Sequence, residues 1–270
     1  MPNQFTHPWT SEEIAFLKES IKKLTYKQMG AHLKRSPSSI QSKIRYLPFQ
    51  QKVKKYPVNS HFFKIWSKDM AYVLGFIAAD GNICNTGRAH MIHIACDDKD
   101  VIEKIKYAIN YEGPIREKPR PNGKISYSLR ICDPILFRDL QNLNVTVRKS
   151  LTFTPPEISD EFSRHFIRGY FDGDGSVTLR KSGDNYNLRV YFYTASLNMA
   201  NFLQDVVVKI LGETYKANIV TKLAHQKTKY YVINLGHKAS AILFNYMYED
   251  AKYYMERKYK KFLEGTSKWQ

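Results

Sequence analysis

Two aspartates, Asp80 and Asp174, occupy the same place in two copies of one pattern. Tyr72-Val-Leu-Gly-Phe-Ile-Ala-Ala-Asp-Gly and Phe166-Ile-Arg-Gly-Tyr-Phe-Asp-Gly-Asp-Gly are each an apolar stretch closed by Asp-Gly and followed by an alternating, strand-like run. Small residues four apart, Gly75 with Ala79 and Gly169 with Gly173, fall on one stripe of a helix, so two such helices can approach backbone to backbone. Packing the stripes together brings both carboxylates to the negative ends of two helices, with Gly81 and Gly175 available as left-handed C-caps. Two like charges there are unfavourable unless a cation lies between them. Hard oxygen ligands in small number suit Mg2+, with Mn2+ or Ca2+ as substitutes, and the economical chemistry is metal-assisted attack of water on phosphorus. A calcium loop beginning at Asp172 is excluded, because its twelfth position is Gly183 where a bidentate Glu is needed.

The elements that must position the aspartates repeat as well. Each copy reads helix, strand, strand, helix, strand, strand, helix. In the first copy the pieces are Met91 to Cys96, a helix Asp100 to Ile109, strands Pro114 to Lys118 and Lys124 to Ile131, and a helix Ile135 to Leu143. In the second, strands near Val177 to Ser182 and Asn187 to Tyr193 precede a helix Met199 to Leu211, strands Tyr215 to Leu223 and Lys229 to Leu235, and a helix from Ala239. The polar strand faces carry long donors and aromatics and almost no carboxylates: Arg116, Lys118, Arg120, Lys124 and Arg130 in copy one, and Thr178, Arg180, Ser182, Asn187, Arg189, Tyr191, Tyr193, Lys216 and Lys222 in copy two. That composition fits a nucleic-acid surface better than a plain solvated sheet, which would mix both charge signs.

The paired segments resemble the signature helices of LAGLIDADG homing endonucleases in their single-chain form. The resemblance covers residues ~69 to 262 and implies two pseudo-symmetric αββαββα repeats, an α+β fold whose antiparallel sheets form a saddle on duplex DNA. It further implies a site-specific double-strand DNA endonuclease that leaves short 3′ overhangs. Metal binding would fall to Asp80 and Asp174 with the backbone of Gly81 and Gly175. Val147-Arg-Lys149 and Met255-Glu-Arg-Lys258 match the lysine stretch that closes each repeat, which implies Lys149 and Lys258 for transition-state charge or water orientation. Asp98 and Ser196 align with the polar residue that orients active-site water. Where the second motif has Asp172 the first has Ala78, a departure expected to make the halves unequal.

Ahead of the repeats, Thr10-Ser-Glu-Glu13 and Thr25-Tyr-Lys-Gln28 are capping boxes, and Ser36-Pro37 supplies an N-cap with proline at the first helical position. Three short helices are expected, the third presenting Ser39, Gln41, Ser42, Lys43 and Arg45, side chains that reach base edges and phosphates. The pattern from Trp9 to Arg45 resembles the Myb/SANT-like helix-turn-helix family, whose third helix enters the major groove. The expected domains are therefore a helix-turn-helix at 1–50, a basic linker at 51–68 tracking along phosphates, a first repeat at 69–153 and a second at 154–270.

Composition agrees. The 270 residues carry 42 Lys and Arg against 25 Asp and Glu, a net charge of +17 that calls for a polyanionic partner. The expected partner is double-stranded DNA with a long target site, bound by a monomer of intracellular, nucleoid-associated location and belonging to an intron or other mobile element. Cys84, Cys96 and Cys132 have no C-x-x-C spacing, which argues against disulfides and zinc ribbons, and His90 with His93 lacks a second ligand cluster. No signal peptide or membrane span is expected. The alternative is an RNA maturase or a non-cleaving DNA-binding regulator on the same scaffold.

Overall fold

A computed structural model describes residues 8–21, 24–47, 56–85, 90–182, 185–213, 215, 217–224 and 228–267. The chain divides into two units, Met1–Lys55 and Tyr56–Gln270. In the first, α1 (Ser11–Ser20), α2 (Tyr26–Leu33) and α3 (Pro37–Tyr46) begin where the caps place them. Both capping boxes close reciprocally, and the Ser36 hydroxyl accepts from Ser39 N at 3.1 Å. Leu17, Met29, Ile40 and Ile44 form a small core completed by Trp9, Phe16, Ile21, Leu33 and Leu47. Glu13 forms an ion pair with Arg35 at 2.7 Å, and the same guanidinium covers the Trp9 ring at 4.0 Å.

The second unit holds both repeats around one continuous core. The first repeat runs α4 (Lys68–Asp80), β1 (Gly81–Asn85), β2 (His90–Cys96), α5 (Lys99–Ala108), β3 (Arg116–Pro119), β4 (Ile125–Cys132) and α6 (Pro134–Asn142). The second runs α7 (Asp160–Asp174), β5 (Gly175–Ser182), β6 (Asn185–Thr194), α8 (Leu197–Leu211), β7 (Ile219–Leu223), β8 (Lys229–Leu235) and α9 (His237–Tyr248). Each repeat makes a four-stranded antiparallel sheet, ordered β1-β2-β4-β3 and β5-β6-β8-β7. The equivalent order in both sheets reflects the duplication legible in the sequence. Alternation decides the faces: Ile83, Ile92, Ile94, Leu129 and Ile131 of the first sheet are buried beneath its helices, as are Val177, Leu188, Val190, Phe192, Ile233 and Leu235 of the second.

Two features depart from expectation. The segment 56–67 belongs to the body and is not linker: Phe63 is buried, Tyr56, Val58, Phe62 and Trp66 pack against the core, and Asn59 N donates to Ile109 O at 3.0 Å. Aromatic residues without a helical period hid this packing in a stretch that reads as basic; residues 51–55 lie outside the described set. The second repeat also carries an extra helix, α10 (Glu256–Ser267), whose Phe262 enters the core against Phe171. Among the described residues no helix is long and apolar enough to cross a membrane.

Candidate active site

The small-residue stripes create the site. A Cβ on Gly75 would overlap the Phe166 carbonyl oxygen, and one on Gly169 would overlap the Tyr72 carbonyl oxygen, so each motif helix lies backbone to backbone against the other. Gly173 meets Ala79 in the same manner one turn later. Because α4 and α7 cross at equivalent glycines, their C-terminal aspartates arrive together.

Both helices pass straight into strands. The backbone of Gly81 is extended at φ −76°, ψ 153°, and that of Gly175 at φ −82°, ψ 162°, so neither is the left-handed cap expected. Glycine is required for lack of a side chain: a Cβ at 81 would sit 2.6 Å from Ile77 O, and one at 175 would run into the Phe171 ring.

Asp80 opens to solvent and Asp174 is half-buried. Burial pushes the Asp174 carboxyl up to about 6, and the neighbouring Asp80 charge adds to the rise against Lys149 and Lys258. Asp80 is raised as well, first by the protein packed around its carboxyl even though the residue is exposed, with Lys258 and then Lys149 opposing. The aspartates thus form a mutually repelling pair that two buried ammonium groups only partly offset. Both lysines are held below their ordinary range by burial.

The lysines reach the site differently. Lys149, at the head of a 3₁₀ turn (Lys149–Leu151), donates to Ala79 O at 3.2 Å. Lys258, in the first turn of α10, donates to Phe171 O at 2.6 Å, Asp172 O at 2.8 Å and Gly175 O at 2.7 Å, so all three of its donors cap the end of α7. The Gly175 carbonyl, expected to face a metal, therefore already accepts a charged hydrogen bond.

Asp98 and Ser196 stand at the sheet-to-helix junctions, and each is bonded to a protein partner. Arg257 binds both Asp98 oxygens, from Nε at 3.0 Å to Oδ1 and from Nη2 at 2.9 Å to Oδ2. Ser196 is buried; its hydroxyl donates to Phe153 O at 2.6 Å and caps α8 through Met199 N. The group that does approach Asp80 beside Asp98 is Asp97, which raises Asp80 further, and its ion pair with Arg120 at 2.8 Å brings a guanidinium that lowers it. Sequence reasoning missed Asp97; the signal available was that Ala195 occupies its place in the second copy. Arg120, expected on DNA, pairs with Asp97 and donates to Ser126 Oγ at 3.3 Å while its side chain stays 46% exposed.

Asp172 is no part of the mouth. It is fully buried, accepting from Tyr72 Oη at 2.8 Å, Tyr248 Oη at 3.4 Å and Met255 N at 2.9 Å, and burial pushes its carboxyl up to about 6. Beside it the buried Arg168 guanidinium donates to Tyr253 O and Met247 O and touches His165 Nδ1.

The outward sheet faces carry the remaining residues. Register puts Arg116 opposite Ser128, Lys118 opposite Ser126 and Arg130 opposite His93, with Asn82 one strand further. On the second sheet Thr178 pairs with Arg189, Arg180 with Asn187 and Lys222 with Tyr230, and Tyr191 stacks on Tyr193 at 6.1 Å. Lys124 is exposed in the turn before β4. Lys216 lies outside the described residues, as does the Ser182 side chain. On α3, Gln41, Ser42 and Arg45 are exposed, Ser39 is half-buried beside its cap, and Lys43 leans over Trp9 at 5.7 Å. Among the described residues no cluster of three or more His, Cys, Asp or Glu could hold a metal ion.

Comparison with known proteins agrees with this geometry. Residues 67–143 and 161–243 match the LAGLIDADG-like domain, one match per repeat. Two proteins of Methanocaldococcus jannaschii, both named as uncharacterized, are similar: MJ0314 is 28% identical over 149 residues, 54% of each chain, and MJ0398 is 22% identical over 184 residues, 64% of each. The chain thus spans between half and two thirds of the length of these relatives. Among solved structures, the homing endonuclease I-WcaI bound to its DNA recognition sequence shares the fold, with a TM-score of 0.51 at 14% identity over 83% of this chain and 97% of that one. With both repeats matched and both signature helices packed through their glycines, the chain belongs to the LAGLIDADG-like domain family.

Proposed function

We propose that this protein is a site-specific double-strand DNA endonuclease, cutting one strand with the help of Asp80 and the other with Asp174 and leaving short 3′ overhangs. The observation that carries the reading is the aspartate pair itself. Two carboxylates are brought together at helix ends where loss of hydration raises both, and the Asp80 charge adds to the rise of Asp174, to about 6. An arrangement so costly to the free protein fits a site built for a cation.

The donor set, two carboxylates with few other ligands, suits Mg2+, held by Asp80 and Asp174. When bound, the metal supplies Lewis-acid activation of water and stabilises the leaving oxygen. Lys149 and Lys258 add positive charge beside the reacting phosphates. Duplex DNA lies along the outward faces, where Arg116, Lys118, Arg130, Arg180, Arg189 and Lys222 meet phosphates or base edges and Tyr191 and Tyr193 add apolar contact. The N-terminal helices act as a helix-turn-helix that extends the contact through α3, and residues 1–50 form a separate DNA-binding domain.

A randomised duplex library incubated with the protein and Mg2+, followed by sequencing of ends, tests the reading. A defined site with staggered ends is expected, and Asp80→Asn and Asp174→Asn retain binding while losing cleavage or only nicking. Uncut DNA with selective RNA retention would instead identify an RNA-binding maturase.

A further inference from the structure

The sheet-to-helix junctions of the two repeats share an arrangement that neither repeat reveals alone. At the first junction Asp98, on the N-terminal side of α5, grips Arg257, the residue before Lys258 in the second repeat. At the second junction Ser196, the N-cap of α8, donates to Phe153 O. Phe153 N in turn donates to Lys149 O at 2.8 Å, closing the turn that presents Lys149 of the first repeat. Asn198 adds a bond to Thr154 Oγ1 at 2.7 Å.

We propose that Asp98 and Ser196 are reciprocal positioning residues, each clasping the lysine-bearing segment of the other repeat. Asp98 seats Lys258 through Arg257, and Ser196 seats Lys149 through Phe153. The mechanistic part of this inference rests on the reading of the two lysines as groups of a cleavage site. Electrostatics runs the same way across the repeats. After burial, Lys258 has the larger lowering influence of the two lysines on Asp80, and Lys149 the larger one on Asp174.

The clasps are chemically unlike. The segment before Lys258 is held by charge: Lys252 pairs with Asp69 at 2.8 Å, Lys104 with Glu256 at 3.0 Å, Lys104 Nζ donates to Tyr254 O at 2.7 Å, and Glu256 N donates to Asp100 Oδ2 at 3.2 Å. Every one of these partners lies on α4 or α5 of the first repeat. The Lys149 segment is held by neutral hydrogen bonds from Ser196 and Asn198. Salt should therefore loosen the Lys258 segment and leave the Lys149 segment unchanged.

Hydrogen exchange on the full chain, with and without target DNA, tests the clasps. The amides of Lys258 and Tyr259, which close the first turn of α10 on Met255 O, report one segment, and those of Thr152 and Phe153 report the other. Asp98→Arg should speed exchange at 258–259 about threefold to tenfold with no change at 152–153, and Ser196→Ala should do the reverse. The swap Asp98→Arg with Arg257→Asp should restore wild-type protection, which a merely structural loss would not. In single-turnover cutting at saturating duplex, each variant should slow one strand selectively with Kd unchanged, and the swap should recover the rate. Unchanged exchange at 258–259 in Asp98→Arg, or equal loosening of both segments, overturns the proposal. If the wild-type protein cuts no duplex, the cleavage reading fails on its own, and exchange alone decides the clasps.

Discussion

Replacing Asp174 with asparagine should stabilise the metal-free protein. Burial and the Asp80 charge move this carboxyl from 3.8 to about 6. A proton is then held more tightly by the folded than by the unfolded chain. The sign follows: ionised Asp174 costs stability above about pH 6, the cost shrinks as pH falls through 6, and it is gone below 3.8. The full displacement is worth about 3 kcal/mol at pH 8, and about 1 kcal/mol remains at pH 4.5. Asparagine keeps the shape and deletes the charge, so Asp174→Asn should gain up to about 3 kcal/mol at pH 8 and about 1 kcal/mol at pH 4.5.

Urea denaturation in the presence of a chelator, at several pH values across this range, measures the difference directly. Adding Mg2+ should reverse the comparison in part, because a cation that binds the folded wild type raises its stability by mass action and the variant has lost half the donor pair. A variant no more stable than wild type at pH 8 would refute the electrostatic argument. So would a gain of the same size at pH 4.5, since a pH-independent gain would come from packing and not from the charge.

Other outcomes follow from the same contacts. Gly169→Ala places a methyl on the Tyr72 carbonyl, and since backbone cannot give way as a side chain can, the loss should be at or beyond about 3 kcal/mol, read from the urea midpoint. Lys258→Met strands three carbonyls and should destabilise by about 1–3 kcal/mol, more than Lys149→Met, which strands the single carbonyl of Ala79. Arg130→Ala and Arg189→Ala should each lower the slope of log affinity against log salt by roughly 0.9 if each meets one phosphate. Deleting residues 1–50 should lower affinity and salt slope while Mg2+-dependent cutting persists.

The sequence disclosed what is local and what is repeated. Capping boxes at Thr10 and Thr25 located their helices, and the alternation of β6 put Arg189, Tyr191 and Tyr193 on the outward face. The glycine stripes foretold the α4–α7 contact because the helical period makes spacing of four a geometric statement. The conformation of Gly81 and Gly175 was misread, since Asp-Gly at a helix end usually signals a left-handed turn and nothing local reports that a strand begins at once. Outside the two motif helices, side-chain contacts between residues far apart in sequence had no signature. Asp98 meets Arg257 across 159 positions, and Ser196 meets Phe153 across 43.

Asp172 and Ala78 show where the duplicated halves have parted. Ala78 lies beside the site with nothing to bond, whereas Asp172 holds Met255 N and two tyrosine hydroxyls, one of them Tyr72 from the opposite motif helix. A buried carboxylate is costly to desolvate, and its value here is positional. It pins Met255 three residues before Lys258, in the repeat whose lysine comes from an added helix and must cap α7 with all three donors. The first repeat needs no such anchor, because Lys149 sits on a short turn already closed by Phe153 N on its own carbonyl. The asymmetry at 78 and 172 is therefore tied to how each lysine is delivered, while the aspartates have kept their matching places. Unequal rates of strand cutting, if found, should follow the lysine segments and change with Asp172, leaving Asp80 and Asp174 interchangeable in role.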